Sequence, residues 1–265
     1  MSVRIVNSSN VSFTGVRFEN GTTLGAASIL AGNDSRGINL SLVNFTNVTG
    51  PVFTNGSTGN IVGNIRILNS SSSGQYTVLR VLNGSTLTTA GSSTVATEHM
   101  TFTFSNMRNL TVETTFQSSS GVDAQRCGSA LFQGCQLVSE LIRLQGEGGI
   151  ATAATLDSLT IYYNSSKLTS GFTATEVYVG LSGDAGWSQL GRTSYDAGAN
   201  TVTYGPYNSL NSYYGAVGFV QASSSTGTSG SGATDSLTIS EPELTCPDNT
   251  VTFTAMSGSE AVDGV

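Results

Sequence analysis

The feature that most constrains this chain is a short text that returns through its first 150 residues: alternating apolar positions closed by Asn or another turn residue. It reads Val16-Arg-Phe18-Glu-Asn20, Val43-Asn-Phe45-Thr-Asn47, Ile65-Arg-Ile67-Leu-Asn69, Leu79-Arg-Val81-Leu-Asn83, Phe102-Thr-Phe104-Ser-Asn106 and Leu131-Phe132-Gln-Gly134. Period-two alternation makes each a strand with one buried face, and Asn or Gly tolerates the left-handed turn that redirects the chain. Most intervals between these corners lie in the twenties, so each turn of the chain contributes more than one short strand. One such coil cannot bury its own Val, Ile, Leu and Phe, and coils must stack to cover one another. The fold class expected is all-β: a parallel β-helix over residues 1–150, with a sandwich of meandering strands as the competing arrangement. Val138-Ser-Glu-Leu-Ile-Arg-Leu144 is read as the last coil.

Gly146-Glu-Gly-Gly149 breaks the pattern and places a domain boundary near residue 150. A second style of strand follows at Leu156–Tyr163, Glu176–Leu181, Thr201–Tyr204, Gly215–Gln221 and Ser236–Ser240. That spacing suits an antiparallel β-sandwich of jelly-roll or Ig-like type over residues 151–241. Ser223–Gly232 reads as a flexible loop inside it. From Pro242 to residue 265 the text looks like the start of a further Ig- or PKD-like module, or a C-terminal tail.

Composition narrows the function. Only 10% of residues are charged and the net charge is −7, with nine arginines scattered and Lys167 the single lysine. This leaves no basic footprint for a phosphate backbone, so nucleic acid is excluded as a partner. No apolar run approaches the ~18 residues of a bilayer span, so no membrane insertion is expected. Met1-Ser-Val-Arg-Ile5 shows no apolar leader; export then requires sequence upstream, or else the protein belongs to a particle assembled inside a cell, such as a virion. Of Cys127, Cys135 and Cys246, the first two are spaced for a disulfide, and two buried thiols are the alternative.

Residues 156–255 resemble the repetitive β-sandwich modules of very large surface adhesins and secreted proteins of gliding and related Bacteroidota. The resemblance rests on Trp187-Ser-Gln-Leu-Gly191, Thr193-Ser-Tyr-Asp-Ala197, Asn200-Thr-Val-Thr-Tyr204 and the strand Tyr213–Val220, and departs from those modules at Leu210-Asn-Ser-Tyr-Tyr214. Cys246-Pro-Asp-Asn-Thr-Val-Thr-Phe-Thr is similar to the start of the PKD-like domains that follow them. Asp157-Ser-Leu and Asp235-Ser-Leu fit the pattern those bacteria O-glycosylate. The first 150 residues resemble the general pectate-lyase-like and tailspike-like β-helix class. The resemblance implies export, display and adhesion.

Candidate chemistry is sparse. A lyase or glycosidase on a β-helix needs converging carboxylates; Glu19, Asp34, Glu98, Glu113, Asp123, Glu140 and Glu147 do not recur at matching offsets. His99, the single histidine, stands beside Glu98 and reads as a surface or strand-edge residue. Asp196-Ala-Gly-Ala-Asn200, with Asp184 nearby, has the rhythm of a loop offering oxygens to calcium, the one cofactor considered; a β-turn explains the same residues. Trp187, Tyr195, Tyr204, Tyr207, Tyr213 and Tyr214 would suit a sugar-stacking platform or a sandwich core.

Twelve Asn-x-Ser/Thr triplets begin at Asn7, Asn10, Asn20, Asn33, Asn39, Asn44, Asn47, Asn55, Asn69, Asn83, Asn109 and Asn164. N-glycosylation is one explanation. Corner geometry, with Asn at the turn and an outward Ser or Thr after it, is preferred.

The expectation is a non-enzymatic structural and adhesive protein, extracellular or on the cell surface. Its partners would be other copies or modules of the same assembly, and glycans. A phage virion fibre or decoration protein, and a β-helix polysaccharide lyase or glycosidase, are the alternatives.

Overall fold

The computed structural model describes residues 2–19, 27–69, 75–115, 126–146, 153–169, 171–206 and 212–221, and the short strands 237–239, 255–257 and 260–261. Strands dominate, and the described residues hold no α-helix, only single 3-10 turns at Ser165–Lys167 and Ala174–Glu176. Among the described residues no helix is long and apolar enough to cross a membrane.

Nine short strands come first: β1 (Val3–Val6), β2 (Ser12–Thr14), β3 (Arg17–Glu19), β4 (Ile29–Gly32), β5 (Ile38–Ser41), β6 (Asn44–Thr46), β7 (Val52–Phe53), β8 (Thr58–Ile61) and β9 (Ile65–Leu68). Each of the first six pairs in parallel with the strand three further on, from β1 with β4 to β6 with β9. The long β10 (Gln75–Thr89) continues two of these ladders, pairing with β7 through Arg80–Val81 and with β8 through Thr86–Thr89. β11 (Val95–Ala96) continues the third on β9. The chain thus makes successive three-strand winds, each in register with the next.

Register turns alternation into a continuous core. Phe18 lies beside Phe45, and Phe45 beside Ile67; the two rings stack at 5.3 Å and 8°. Phe13, Leu40 and Ile61 form a second column. Where Gly59 leaves space, the Phe53 ring occupies it, 2.3 Å from where a Cβ would stand.

The corners explain seven of the twelve triplets, whereas Asn39 and Asn44 lie within β5 and β6 and Asn164 has an extended backbone. Asn7, Asn10, Asn33, Asn47, Asn55, Asn83 and Asn109 all have φ between 46° and 57°, the left-handed region that Asn tolerates better than most residues. Asn55 Nδ2 donates to Asn33 Oδ1 at 3.5 Å, and Asn83 Nδ2 to Asn55 Oδ1 at 3.3 Å. The residue two places on was expected to point outward. Ser9 and Ser12 are exposed in this way, but Ser35, Ser57 and Ser85 are fully buried. Their hydroxyls serve the corner: Ser35 donates to the Gly32 carbonyl (2.7 Å) and Ser57 to that of Thr54 (2.8 Å). Ser85 Oγ accepts from the Ser57 N–H at 2.9 Å. Burial in the bend would strand backbone carbonyls and N–H groups there, and an inward hydroxyl satisfies them.

Pairing changes sense at Thr97–Met100. Thr97 Oγ1 accepts from the His99 and Met100 N–H groups at 3.1 and 3.0 Å, closing a reversal too short for a parallel crossover. The next strand, β12 (Met100–Thr115), therefore runs antiparallel to β11 and β10. Beyond it come β13 (Phe132–Leu137), β14 (Leu141–Gly146), β15 (Ala153–Tyr162), β16 (Val177–Gly183), β17 (Gly186–Gly191), β18 (Ser194–Asp196), β19 (Thr201–Tyr204) and β20 (Ser212–Gln221). All of their strand pairings are antiparallel. Val138–Leu144, expected as a last coil, instead leads into β14, which lies between β12 and β20. The expected boundary near residue 150 falls between β14 and β15, both neighbours of β12.

Residues Met1–Ser223 form one compact unit and Ser224–Val265 another. The second holds β21 (Leu237–Ile239), β22 (Ala255–Ser257) and β23 (Glu260–Ala261), paired antiparallel in that order. The expected Ser223–Gly232 loop, and Cys246 with the text around it, lie outside the described residues.

Candidate functional site

The calcium-like loop is a turn. Asp196 Oδ1 accepts from the N–H groups of Gly198 (2.8 Å) and Ala199 (3.0 Å), and Asn200 takes φ 52° before β19 begins. That oxygen is committed to the backbone. Asp184 sits exposed in the hairpin between β16 and β17. Among the described residues no three His, Cys, Asp or Glu side chains form a group able to hold a metal.

The aromatic residues do not share one surface. Trp187 and Tyr214 are 0% exposed, Trp187 packing among Cys135, Leu141, Val217 and Phe219. Gly180 makes room for it, since a Cβ there would stand 2.9 Å from the indole and 2.7 Å from Val217. Tyr195 and Tyr204 are half-buried against the main core, and the Arg192 guanidinium lies over the rings of Tyr178 and Tyr195 at 4.4 and 4.8 Å. Tyr213 is covered by Arg143 at 5.6 Å. Tyr207 lies outside the described residues. Cys127 and Cys135 are joined as a disulfide with Cα atoms 5.4 Å apart. The Gly128 N–H donates to the Trp187 carbonyl at 2.7 Å, tying this loop to β17.

Three chain reversals, distant in sequence, meet elsewhere. Glu98 and His99 lie in the turn before β12, Val138–Glu140 join β13 to β14, and Tyr162 ends β15 with Tyr163–Lys167 following it. Backbone bonds dock them: the Tyr162 N–H donates to the His99 carbonyl (2.9 Å) and the Asn164 N–H to that of Val138 (2.8 Å). Ser139 Oγ accepts from the Ala216 N–H at 2.8 Å, anchoring the middle turn to β20. The 3-10 turn at Ser165 is capped by Asn164, whose Oδ1 accepts from the Ser166 N–H at 3.0 Å.

Together they line a cavity of about 240 Å³ that holds Glu98, His99, Glu140, Tyr162, Tyr163, Asn164 and Lys167. A chain with one histidine and one lysine thus places both in the same hollow. Lys167 Nζ is 3.6 Å from Glu140 Oε1. Glu98 accepts from the Tyr76 hydroxyl (2.9 Å) and from the Asn69 N–H. Tyr162 is 38% exposed, and its hydroxyl shares a 2.9 Å hydrogen bond with Thr101.

Partial burial holds the His99 imidazole below its ordinary pKa; Glu140 and Glu98 push it up and Lys167 pushes it down. Burial raises the Tyr76 phenol, with Glu98 adding to the shift. Burial likewise raises the Tyr163 phenol, with Tyr195 adding. The hollow thus brings together two carboxyl side chains, one lysine amine and an imidazole held below its ordinary pKa by partial burial. That set offers donors and acceptors on several sides, together with an exposed phenol ring.

Sequence reasoning weighed Glu98 and His99 alone and did not connect them with Glu140, Tyr162 or Lys167. Nothing local joins these turns; the usable signal was scarcity, the single histidine and single lysine of a charge-poor chain. No family model, curated protein or solved structure matches the chain. Function rests on the geometry.

Proposed function

We propose that the chain is a non-enzymatic structural and adhesive protein displayed outside the cell, which touches carbohydrate through the cavity of Glu98, His99, Glu140, Tyr162 and Lys167. In this reading the parallel winds are a β-helix and the antiparallel strands a β-sandwich, of the kind the large Bacteroidota surface modules suggest. The observation that carries it is the lining of the cavity. Carboxylate and ammonium groups beside an exposed phenol match a neutral sugar ring, which presents hydroxyls at its rim and C–H groups on its faces. The mixed charge offers little to a phosphate or an apolar ligand. A Cys127–Cys135 disulfide supports an oxidising compartment.

Titration of the full chain with neutral oligosaccharides, followed by calorimetry, tests the reading. Binding is expected to weaken at least tenfold in Lys167→Ala and in Tyr162→Ala, with circular dichroism unchanged. Neutral glycans that fail to bind at millimolar concentration would remove the carbohydrate role. Release of new reducing ends or unsaturated sugars from a polysaccharide would instead establish the enzyme.

A further inference from the structure

Lys167 brings the cavity its only amine, on a side chain that is 45% exposed with Nζ 3.6 Å from Glu140. A lysine so open to solvent samples many rotamers unless both its backbone and its head are held. Glu140 holds the head. The backbone is held from the outer face of β13.

Gln136 stands on that strand, two residues before Val138, where the cavity wall begins. Cys135 beside it is buried, so period two sets the Gln136 side chain on the outer face. Its Nε2 donates to the Lys167 carbonyl at 2.6 Å. Its Oε1 accepts from the Thr169 N–H at 3.0 Å and from the Thr169 hydroxyl at 3.2 Å. One side-chain amide thus meets the backbone on both sides of Leu168, as a neighbouring strand would. The sheet leaves room for this. Gly218 of β20 lies across from Gln136, and a Cβ at Gly218 or at Gly134 would stand 2.9 or 3.3 Å from the Phe172 ring. That ring fills the space over the two glycines and fastens the far side of the segment. Its near side is docked by the Asn164 N–H on the Val138 carbonyl. One stretch of chain therefore supplies both anchors of Lys167: Gln136 takes its carbonyl and Glu140 its Nζ.

We propose that Gln136 is a positioning residue of the cavity, which fixes the backbone at Lys167 so that the amine is presented to a ligand hydroxyl. The proposal rests on the reading of the hollow as the binding site. A donor held in place before the ligand arrives lowers the ordering cost of binding.

Two measurements test it, and the first needs no ligand. Lys167 is the single lysine, so a carbodiimide acting on the full chain can couple its ε-amine to the Glu140 carboxyl, an amide forming with loss of water. Peptide mapping reads the yield. Gln136→Met keeps the length and loses the hydrogen bonds; Gln136→Asn keeps the amide but falls one methylene short. Both are expected to lower the Lys167–Glu140 yield several-fold with circular dichroism unchanged. The second measurement is calorimetric titration with cellohexaose and maltohexaose. Binding should weaken about five- to tenfold in Gln136→Met. The double variant Gln136→Met/Lys167→Ala should bind no more weakly than Lys167→Ala alone, since a residue that acts only through Lys167 then has nothing to position. A cross-link yield unchanged in both Gln136 variants, or a loss of binding that persists in the Lys167→Ala background, overturns the proposal. If neither sugar binds the parent chain the carbohydrate reading fails, and the cross-link yield still decides whether Gln136 holds Lys167.

Discussion

Asn55 shows how much of this molecule is set by single positions. Its backbone sits at φ 53°, its amide joins those of Asn33 and Asn83, and the Ser57 hydroxyl behind it is buried on the Thr54 carbonyl. An alanine in the left-handed region costs about 1–2 kcal/mol that glycine avoids. Asn55→Ala is therefore expected to lose about that much stability and Asn55→Gly clearly less, measured by chemical denaturation. Ser57→Ala should lose about 1 kcal/mol, the net worth of the hydrogen bond it removes from the partly buried Thr54 carbonyl. Equal losses for the alanine and glycine variants would mean that the backbone conformation is not what Asn supplies. The Asn-x-Ser text was legible as a corner because Asn and turns go together through local chemistry. The direction of the serine was not, because inward and outward hydroxyls have the same sequence and only the bend decides between them.

Individual strands were legible where alternation is local. Leu156–Tyr163, Glu176–Leu181, Thr201–Tyr204 and Gly215–Gln221 correspond to β15, β16, β19 and β20. Val16–Asn20, Val43–Asn47 and Ile65–Asn69 contain β3, β6 and β9 of one ladder. Leu79–Asn83 carries the same pattern but lies on another ladder, beside β7. Phe102–Asn106 reverses direction altogether. Period two reports burial of one face and carries no information about the partner strand or its sense. The cavity was illegible for a related reason: its three reversals meet through long-range backbone bonds. Those reversals make a pH prediction. His99 is held below the ordinary value near 6.5, so as pH falls the unfolded chain takes up this proton before the folded one does. Stability is then lost from about pH 6.5 downward, and above that window the group contributes no slope. His99→Gln should flatten the slope of unfolding free energy just below pH 6.5, ahead of carboxylate protonation. An unchanged slope would show that His99 is not the group responsible.

At the scale of the whole molecule the decisive element is β12. One of its edges carries β10 and β11 and the other carries β14 and β15, so the parallel winds and the antiparallel strands share one hydrogen-bonded strand. Its side chains Met100, Phe102, Phe104, Met107, Leu110 and Val112 belong to the same buried cluster as Phe45 and Ile161. Neither part can lose β12 without exposing apolar surface of the other, and such sharing makes unfolding cooperative. Calorimetry of residues 1–223 should therefore show one endotherm. A fragment ending at residue 150 should fail to fold cooperatively, because it leaves the β15 edge of β12 unpaired with Phe102 and Phe104 beside it, an invitation to aggregate. Two resolved transitions in the longer chain, or a soluble cooperative 1–150 fragment, would show that the winds stand as a domain of their own and that β12 merely abuts its neighbours.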